Sequence, residues 1–561
     1  MKAIYKSLIV AALSAPLFTS CIEEAIPTDR VIESQLEGNA KATEALVYAM
    51  PGHMNSIGAV GSDHWDFGAP SIMHIRDVMT EDMPVLSCGR YDHFTTWAAV
   101  SVALGEEYLV TQYPWVWFNA QILSCNNVLG AIPAESATSP ELKTNRAAGL
   151  AYRAMTYLDM ARMYEVLPVK TDVKDMSVSA SGKNILGLTV PIVTPGMTED
   201  QLRDNPRATH EEMYDFITGD LKEAIELYQE GSAVPNKTIP SLAVAYGLMA
   251  RACLWDASYK EEMGEGDFAA QYNEAARYAR LAITTGGNTP LTQEQWQNTS
   301  SGFNDLSVSS WMLGGQYVSE DDAVQTQIVN WASFMVNEQE FGYTCIDGQP
   351  GAQPMIGASL YNRMSDRDWR KLSWVAPEGS SLKGREPFLN KDFADALLTT
   401  PYVSIKFRPG QGEMTDPKIA AAVAYPLMRV EEMYFIVAEA TAHVDAGAGK
   451  NLLENFMKTY RYPSYACVSS STERVVEEIV FQKRIELWGE GQSFFDMKRL
   501  NMSVTRAYDG SNFDSSRVTF NTNGRPAWMN FVIVRNEVQN NKALTDYNTQ
   551  SPAGIYPLIT L

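Results

Sequence analysis

Apolar residues recur every three or four positions in several long stretches of this chain, and each such stretch predicts a helix with one buried face. In residues 141–164, ELKTNRAAGLAYRAMTYLDMARMY, that face carries Ala147, Leu150, Ala151, Ala154, Leu158 and Ala161, small enough to let a second helix approach closely. The same period runs through 211–229, 242–256 and 270–283, and returns over 427–445 and 473–499. Helices in pairs, with Ala or Gly at crossings and Tyr, Phe or Leu around them, predict a mainly α fold with a tetratricopeptide-like scaffold. The spacing is irregular, since the acidic loop YKEEMGEGD sits inside one pair, so the array is degenerate.

Two stretches break the period. Residues 51–105 and 286–425 are rich in Gly, Pro, Ser and Asn and contain short β-like runs such as VSIKF, which predict six or more hairpin-like pieces. They hold seven of the 12 Trp: Trp65, Trp97, Trp296, Trp311, Trp331, Trp369 and Trp374. Loops on a rigid scaffold are where binding groups are commonly placed.

The first twenty residues read as a leader. Lys2 and Lys6 precede an apolar run, Leu8 to Phe18, too short to span a bilayer. Phe18-Thr19-Ser20-Cys21 resembles a lipobox, with Phe18 where Leu is commoner, and predicts lipidation of Cys21; the alternative is an ordinary secretory peptide cleaved near Ser20. Glu23 and Glu24 in the following IEEAIPTDR resemble the acidic tag of surface-exposed lipoproteins, or else belong to a solvated tether. No later apolar run reaches transmembrane length, which leaves lipid as the expected anchor.

Charge narrows the partners. The formal net charge is -22, and removing residues 1–20 takes away two Lys and no acids, giving -24. Such a surface repels phosphate backbones, so nucleic acid is not an expected partner. Cys88, Cys125, Cys253, Cys345 and Cys467 are odd in number, widely spread and without a CxxC, a pattern of buried thiols rather than of disulfides or zinc.

Enzyme signatures are scarce. GAGK at Gly447–Lys450 lacks the first Gly and the following Ser or Thr of a phosphate loop and is expected to cap the helix ending near Val444. GEGDFA at Gly264 misses the third Gly of a dinucleotide fingerprint, and His210-Glu211-Glu212 reads as a helix start. There is no G-x-S-x-G and no H-E-x-x-H. His53, His64, His74 and His93 gather near Asp63, Asp66, Asp77 and Asp92, but no His pair has i, i+4 spacing on a clear helix. No cofactor or metal is therefore assigned. A glycosidase pair among the 67 acids stays open, because only separation in space decides it.

The densest polar stretch, FQKRIELWGEGQSFFDMKRL at Phe481–Leu500, keeps helical periodicity with a break near Gly489–Gly491. Arg484, Glu486, Glu490, Asp496 and Arg499 are placed to pair with one another and with neighbouring helices, so the stretch reads as wiring of the fold rather than a catalytic centre. QKRIELWGEGQSFFDMKRLN also closely resembles the late-helix signature of the SusD/RagB family of outer-membrane nutrient-binding lipoproteins. Gln482, Lys483 and Ser493 depart from that signature. AYRAMTYLDMARMYEVLP, with Glu165 where Gly is usual, fits the same family, as do LAVAYGLMARACLWDASY, LYNRMSDRDWR, YPLMRVEEMYFIVAEA and the terminal IYPLITL.

The resemblance implies a SusD-like fold: a tetratricopeptide-helical scaffold with an irregular, loop-rich ligand-binding region. It implies capture of an oligosaccharide at the cell surface, without catalysis, and delivery to a SusC-like TonB-dependent transporter in the outer membrane. A peptide-binding member of the family and a helical glycoside hydrolase are the other readings. Sugar rings stack their C–H faces on Trp or Tyr while Asp, Asn and Arg bind hydroxyls. The candidate ligand residues are accordingly Trp65, Asp66, Arg76, Asp77 and Trp97 from the early loops, with Trp311, Trp331 and Tyr343 from the later ones. The expected organisation is a signal peptide over 1–20, a lipidated tether over 21–36 and a helical part over 37–285 with an insertion at about 51–105. An irregular ligand-binding region over 286–425, a helical pair over 426–500 and an irregular segment over 501–561 follow.

Overall fold

A computed structural model describes residues 40–61, 64–86, 104–516 and 518–561. Cys21, Trp97, Cys88, Asp63, Asp92 and His93 lie outside the described residues. The main helices of the first part are α1 (Ala40–Met54), α2 (Ala69–Val78), α3 (Leu109–Ala131), α4 (Pro140–Tyr164), α5 (His210–Glu230), α6 (Leu242–Met263) and α7 (Phe268–Gly286). After them come β1 (Trp311–Gln316), the short α8 (Trp331–Met335), β2 (Cys345–Ile346), β3 (Gln349–Pro350) and β4 (Ala424–Arg429). The last long helices are α9 (Val430–Val444), α10 (Ala446–Tyr460), α11 (Thr472–Glu486) and α12 (Ser493–Arg499).

The periodic stretches become helices because their ends are chemically marked. Ser139 accepts from the Leu142 N–H and Pro140 opens α4, while Thr209 and Glu212 form a capping box that starts α5 at His210. Each helix packs on the next, α3 on α4, α4 on α5, α5 on α6, α6 on α7 and α7 on α9, which makes the degenerate array of pairs that the periodicity predicts. One apolar core runs from α1 to the C-terminal segment, and a smaller one fills the space between α9, α10 and α11.

Three expectations need correction. The 23-residue α3 was not foreseen: it is apolar on most of its circumference and buried in the core, so no single stripe marks it. Gly447–Lys450 forms the first turn of α10, capped by Asp445, and does not cap α9. The hairpin-rich region is mostly turns and short helices. Among the described residues β1 pairs antiparallel with β4 and β2 with β3, while VSIKF makes only isolated bridges, Met355 to Val403 and Trp374 to Ser404.

The expected break between α11 and α12 is present, with Gly489 and Gly491 at φ 75° and 68°. A side chain at either would collide, at 489 with Phe407 and at 491 with Met73 and Arg76. Cys125, Cys253, Cys345 and Cys467 are free and buried. No described helix is long and apolar enough to cross a membrane.

Candidate functional site

The turn ahead of α2 and the segment from Tyr317 to Pro350 meet to form a shelf. Tyr317 donates its hydroxyl to the Phe67 carbonyl at 2.8 Å, Tyr113 donates to the Gly68 carbonyl at 2.7 Å, and Asn55 Nδ2 donates to the Gln316 carbonyl at 2.6 Å. Beneath the surface the rings form a layer: Phe67 stacks on Phe334 at 4.9 Å, Phe334 meets Tyr343 at 4.5 Å, and His64 reaches Tyr343 at 5.6 Å. Trp65 packs edge-on against Tyr113 and Trp331 edge-on against Phe407. The exposed rim above them is polar and includes Ser319, Glu320, Gln325, Thr326, Asp347 and Gln349. Gln327 on that rim holds a left-handed φ of 67°, a conformation that non-glycine residues adopt at a cost.

The fold therefore brings the turn that carries Trp65 and Asp66 against the segment that carries Trp331 and Tyr343, across nearly 280 positions of sequence, but it buries all four side chains. Their exposures are 2, 0, 0 and 2 %. Stacking against a ligand needs a free ring face, so the expectation of open rings is corrected here to a supporting layer. Phe67, Phe334 and Tyr317 belong to the same layer and were not singled out; the two-residue step from Trp65 to Phe67 was the available signal. Trp311 stands apart in the β1–β4 ladder opposite Arg429, also fully buried, beside Asn288.

Arg76 and Asp77 join a different system. Arg76 Nη1 donates to Asp159 Oδ2 at 2.9 Å, and its guanidinium lies 4.5 Å above the Phe495 ring. Asp77 accepts from the Gly491 N–H at 2.9 Å, and burial pushes its carboxyl up to about 8. Both thus tie α2 to the break between α11 and α12. Around that break the charges predicted to pair do so. Glu486 receives Arg370, Arg461 and Arg429, and Glu490 receives Lys406 and Arg429. Arg484 engages Glu81 and Asp82, while Asp496 takes Lys483 and Arg499. Burial would raise the Glu486 carboxyl, but Arg461, Arg370 and Arg429 hold it below its ordinary value. The departures from the signature are absorbed, since Gln482 Oε1 accepts from Arg370 at 2.6 Å and Lys483 pairs with Asp496. Glu165 is likewise engaged, by His210 Nδ1 at 2.6 Å and Trp255 Nε1 at 2.8 Å.

The five described histidines and aspartates of the early region, His53, His64, His74, Asp66 and Asp77, do not converge on one point. His74 is buried on α2 with its pKa pushed down to about 3, and His53 stacks on Trp117. Among the described residues no three His, Cys, Asp or Glu side chains gather with the geometry to hold a metal ion.

Residues 268–550, a span that contains both the late wall of the shelf and the Glu486 lattice, match the family model described as SusD family. The chain belongs to the SusD family. A second model, described as starch-binding associating with outer membrane, matches residues 78–254. SusD-family proteins bind rather than transform their ligands, so the chain is a binding protein and not an enzyme, in a glycan-binding, outer-membrane-associated family. Solved structures agree on the fold. A SusD-like carbohydrate binding protein from Bacteroides vulgatus is 21 % identical, with a TM-score of 0.68 over 92 % of this chain and 100 % of that one. A SusD superfamily protein from Parabacteroides distasonis gives 16 % identity and 0.63 over 92 % and 98 %. A surface glycan-binding protein A from Bacteroides uniformis gives 14 % and 0.61 over 91 % and 99 %. No curated protein matches the chain.

Proposed function

We propose that this SusD-family protein captures an oligosaccharide at the outer face of the outer membrane, held there by lipid on Cys21, and hands it to a SusC-like TonB-dependent transporter. The observation that carries this reading is the family match over residues 268–550, joined by the outer-membrane, starch-binding model over 78–254. The shelf is the proposed binding face. Trp65, Asp66, Trp331 and Tyr343 support it from beneath, and Arg76 and Asp77 fix α2 under it. Trp97 is the proposed stacking ring, and Trp311 supports the scaffold side. A strong net negative charge suits a neutral glycan better than an anionic one.

A glycan and peptide array with the purified, unlipidated protein tests the ligand class. Binding of a saccharide without release of shorter products is expected; release of products, or binding of peptides alone, overturns the reading. Calorimetry on Trp97→Ala should show a loss of about 1–3 kcal/mol of binding free energy, as for other aromatic anchors. The Cys21→Ala protein should leave the membrane fraction, because without acyl chains nothing in the chain is expected to hold it there. Extraction from native membranes in gentle detergent should recover a barrel partner with it, since a lid over a transporter buries on the order of 2,000 Å² or more. Recovery of the protein alone counts against delivery to a transporter.

A further inference from the structure

At the junction of α1, α2, α3, α4 and α6 lies a cavity of about 30 Å³, lined in part by Met73, Arg76, Trp117, Asp159, Arg251 and Gln492. Two of these side chains carry buried N–H groups that no protein atom accepts: Nε of Arg76 and Nε1 of Trp117. The two residues are 2 and 3 % exposed. A buried donor left without an acceptor is costly, and two of them on residues that line one small cavity point to an occupant that accepts.

Charge around the cavity selects the kind of acceptor. Arg76, Arg251 and Asp159 line it, and Arg162 and Glu432 are bonded to these from just outside. Arg76 and Arg162 share Asp159, and Arg251 forks onto Glu432 at 2.7 and 2.6 Å. Three guanidiniums thus face two carboxylates, leaving one positive charge in excess. The neighbouring groups do not cancel it. Burial keeps Asp77 protonated at neutral pH, burial lowers the pKa of His53 on the Trp117 ring and so keeps it neutral, and Asp496 is already committed to Lys483 and Arg499. Size limits the occupant further. A water needs roughly 10–15 Å³ of such space, so about 30 Å³ holds a single small ion or two waters and no sugar ring. Water would satisfy the two donors but bring protons of its own. Both Asp159 oxygens already accept from guanidiniums, while Thr156 Oγ1 gives its hydrogen to the Tyr152 carbonyl and keeps its lone pairs, so it is the excess positive charge rather than a lack of acceptors that favours an anion over water.

We infer that this cavity is a binding site for a monovalent, halide-sized anion such as chloride, held by Arg76 Nε and Trp117 Nε1. An ion there neutralises the excess charge and links α2 and α3, which carry the early side of the shelf, to α4 and α6 of the scaffold. This goes beyond the glycan reading and does not depend on it.

Crystals of the full mature chain grown in bromide test the site through anomalous scattering. A bromide peak in contact with Arg76 Nε and Trp117 Nε1 is expected. Its absence while other bromide peaks are present, or ordered water alone in the cavity, overturns the inference. Thermal melting gives a second measurement. In the parent protein Tm should climb with the logarithm of chloride concentration at constant ionic strength, relative to an acetate series. Trp117→Phe keeps a ring and removes the donor, so the folded variant should lose most of the chloride-dependent rise. A variant that keeps the full rise overturns the site, and the bromide experiment on the parent stands even if the variant does not fold.

Discussion

Around Glu486, three guanidiniums lie within 3.3 Å of one carboxylate, whereas under the shelf Phe67, Phe334 and Tyr343 meet ring to ring at 4.9 and 4.5 Å with no charge between them. Both places look alike in sequence, as aromatics mixed with polar residues. The physics that holds them differs. Buried ions must be matched by opposite charge, so removing one partner strands the others in a medium that cannot solvate them. Rings packed against rings lose free energy in proportion to the atoms removed and tolerate a replacement of similar shape. The lattice thus specifies how the helices dock, and the aromatic layer sets the contour of the surface above it.

Single substitutions separate the two. Glu486→Ala should be the most damaging, about 3–5 kcal/mol, because Arg370, Arg429 and Arg461 all lose a carboxylate at once. Urea denaturation measures it, and a loss below about 1 kcal/mol would mean that solvent reaches the lattice. Phe334→Leu under the shelf should cost less, about 1–2 kcal/mol, with the fold retained. If the shelf is the binding face, the same variant should weaken saccharide binding in calorimetry, while stability changes in the lattice that leave the fold intact should not. The third effect has the opposite sign. Asp77 has a folded pKa near 8 against an ordinary 3.8, so its contribution is fully present below pH 4 and is lost as pH rises through 8. Asp77→Asn, which keeps an oxygen for the Gly491 N–H, should raise Tm at neutral pH, with the gain growing up to about pH 8 and level above it. A gain that does not change with pH would show that the carboxyl is ionised throughout.

Much of the scaffold could be read from the chain because its helices carry one apolar stripe and marked ends, as in 141–164 and 211–229. The pairing set of Arg484, Glu486, Glu490, Asp496 and Arg499 was also legible, since charges inside an apolar helical period have to be buried and matched. What could not be read has a common cause. A helix apolar on most of its circumference, such as α3, shows no single stripe, and a loop tryptophan gives no sign of whether its ring faces outward. Trp65 and Trp331, read as ligand candidates from their loops, are both buried. Burial of an aromatic in irregular structure depends on contacts across hundreds of residues, which local pattern does not encode.

One such contact concerns the order in which the chain is made. The strip from Val78 to Asp82 is completed only by late residues: Arg484 closes on Glu81 and Asp82, Arg506 donates to the Val78 and Thr80 carbonyls, and Trp528 donates to the Met79 carbonyl. Arg484 and Asp82 are 402 positions apart. At synthesis rates of about 5–20 residues per second, the early strip waits roughly 20–80 seconds for its partners. During that interval its acids and carbonyls stay in water. The Val78–Asp82 strip is therefore among the last parts of the molecule to be finished, and α2, which leads into it, waits for nearly the whole chain before its end is fixed.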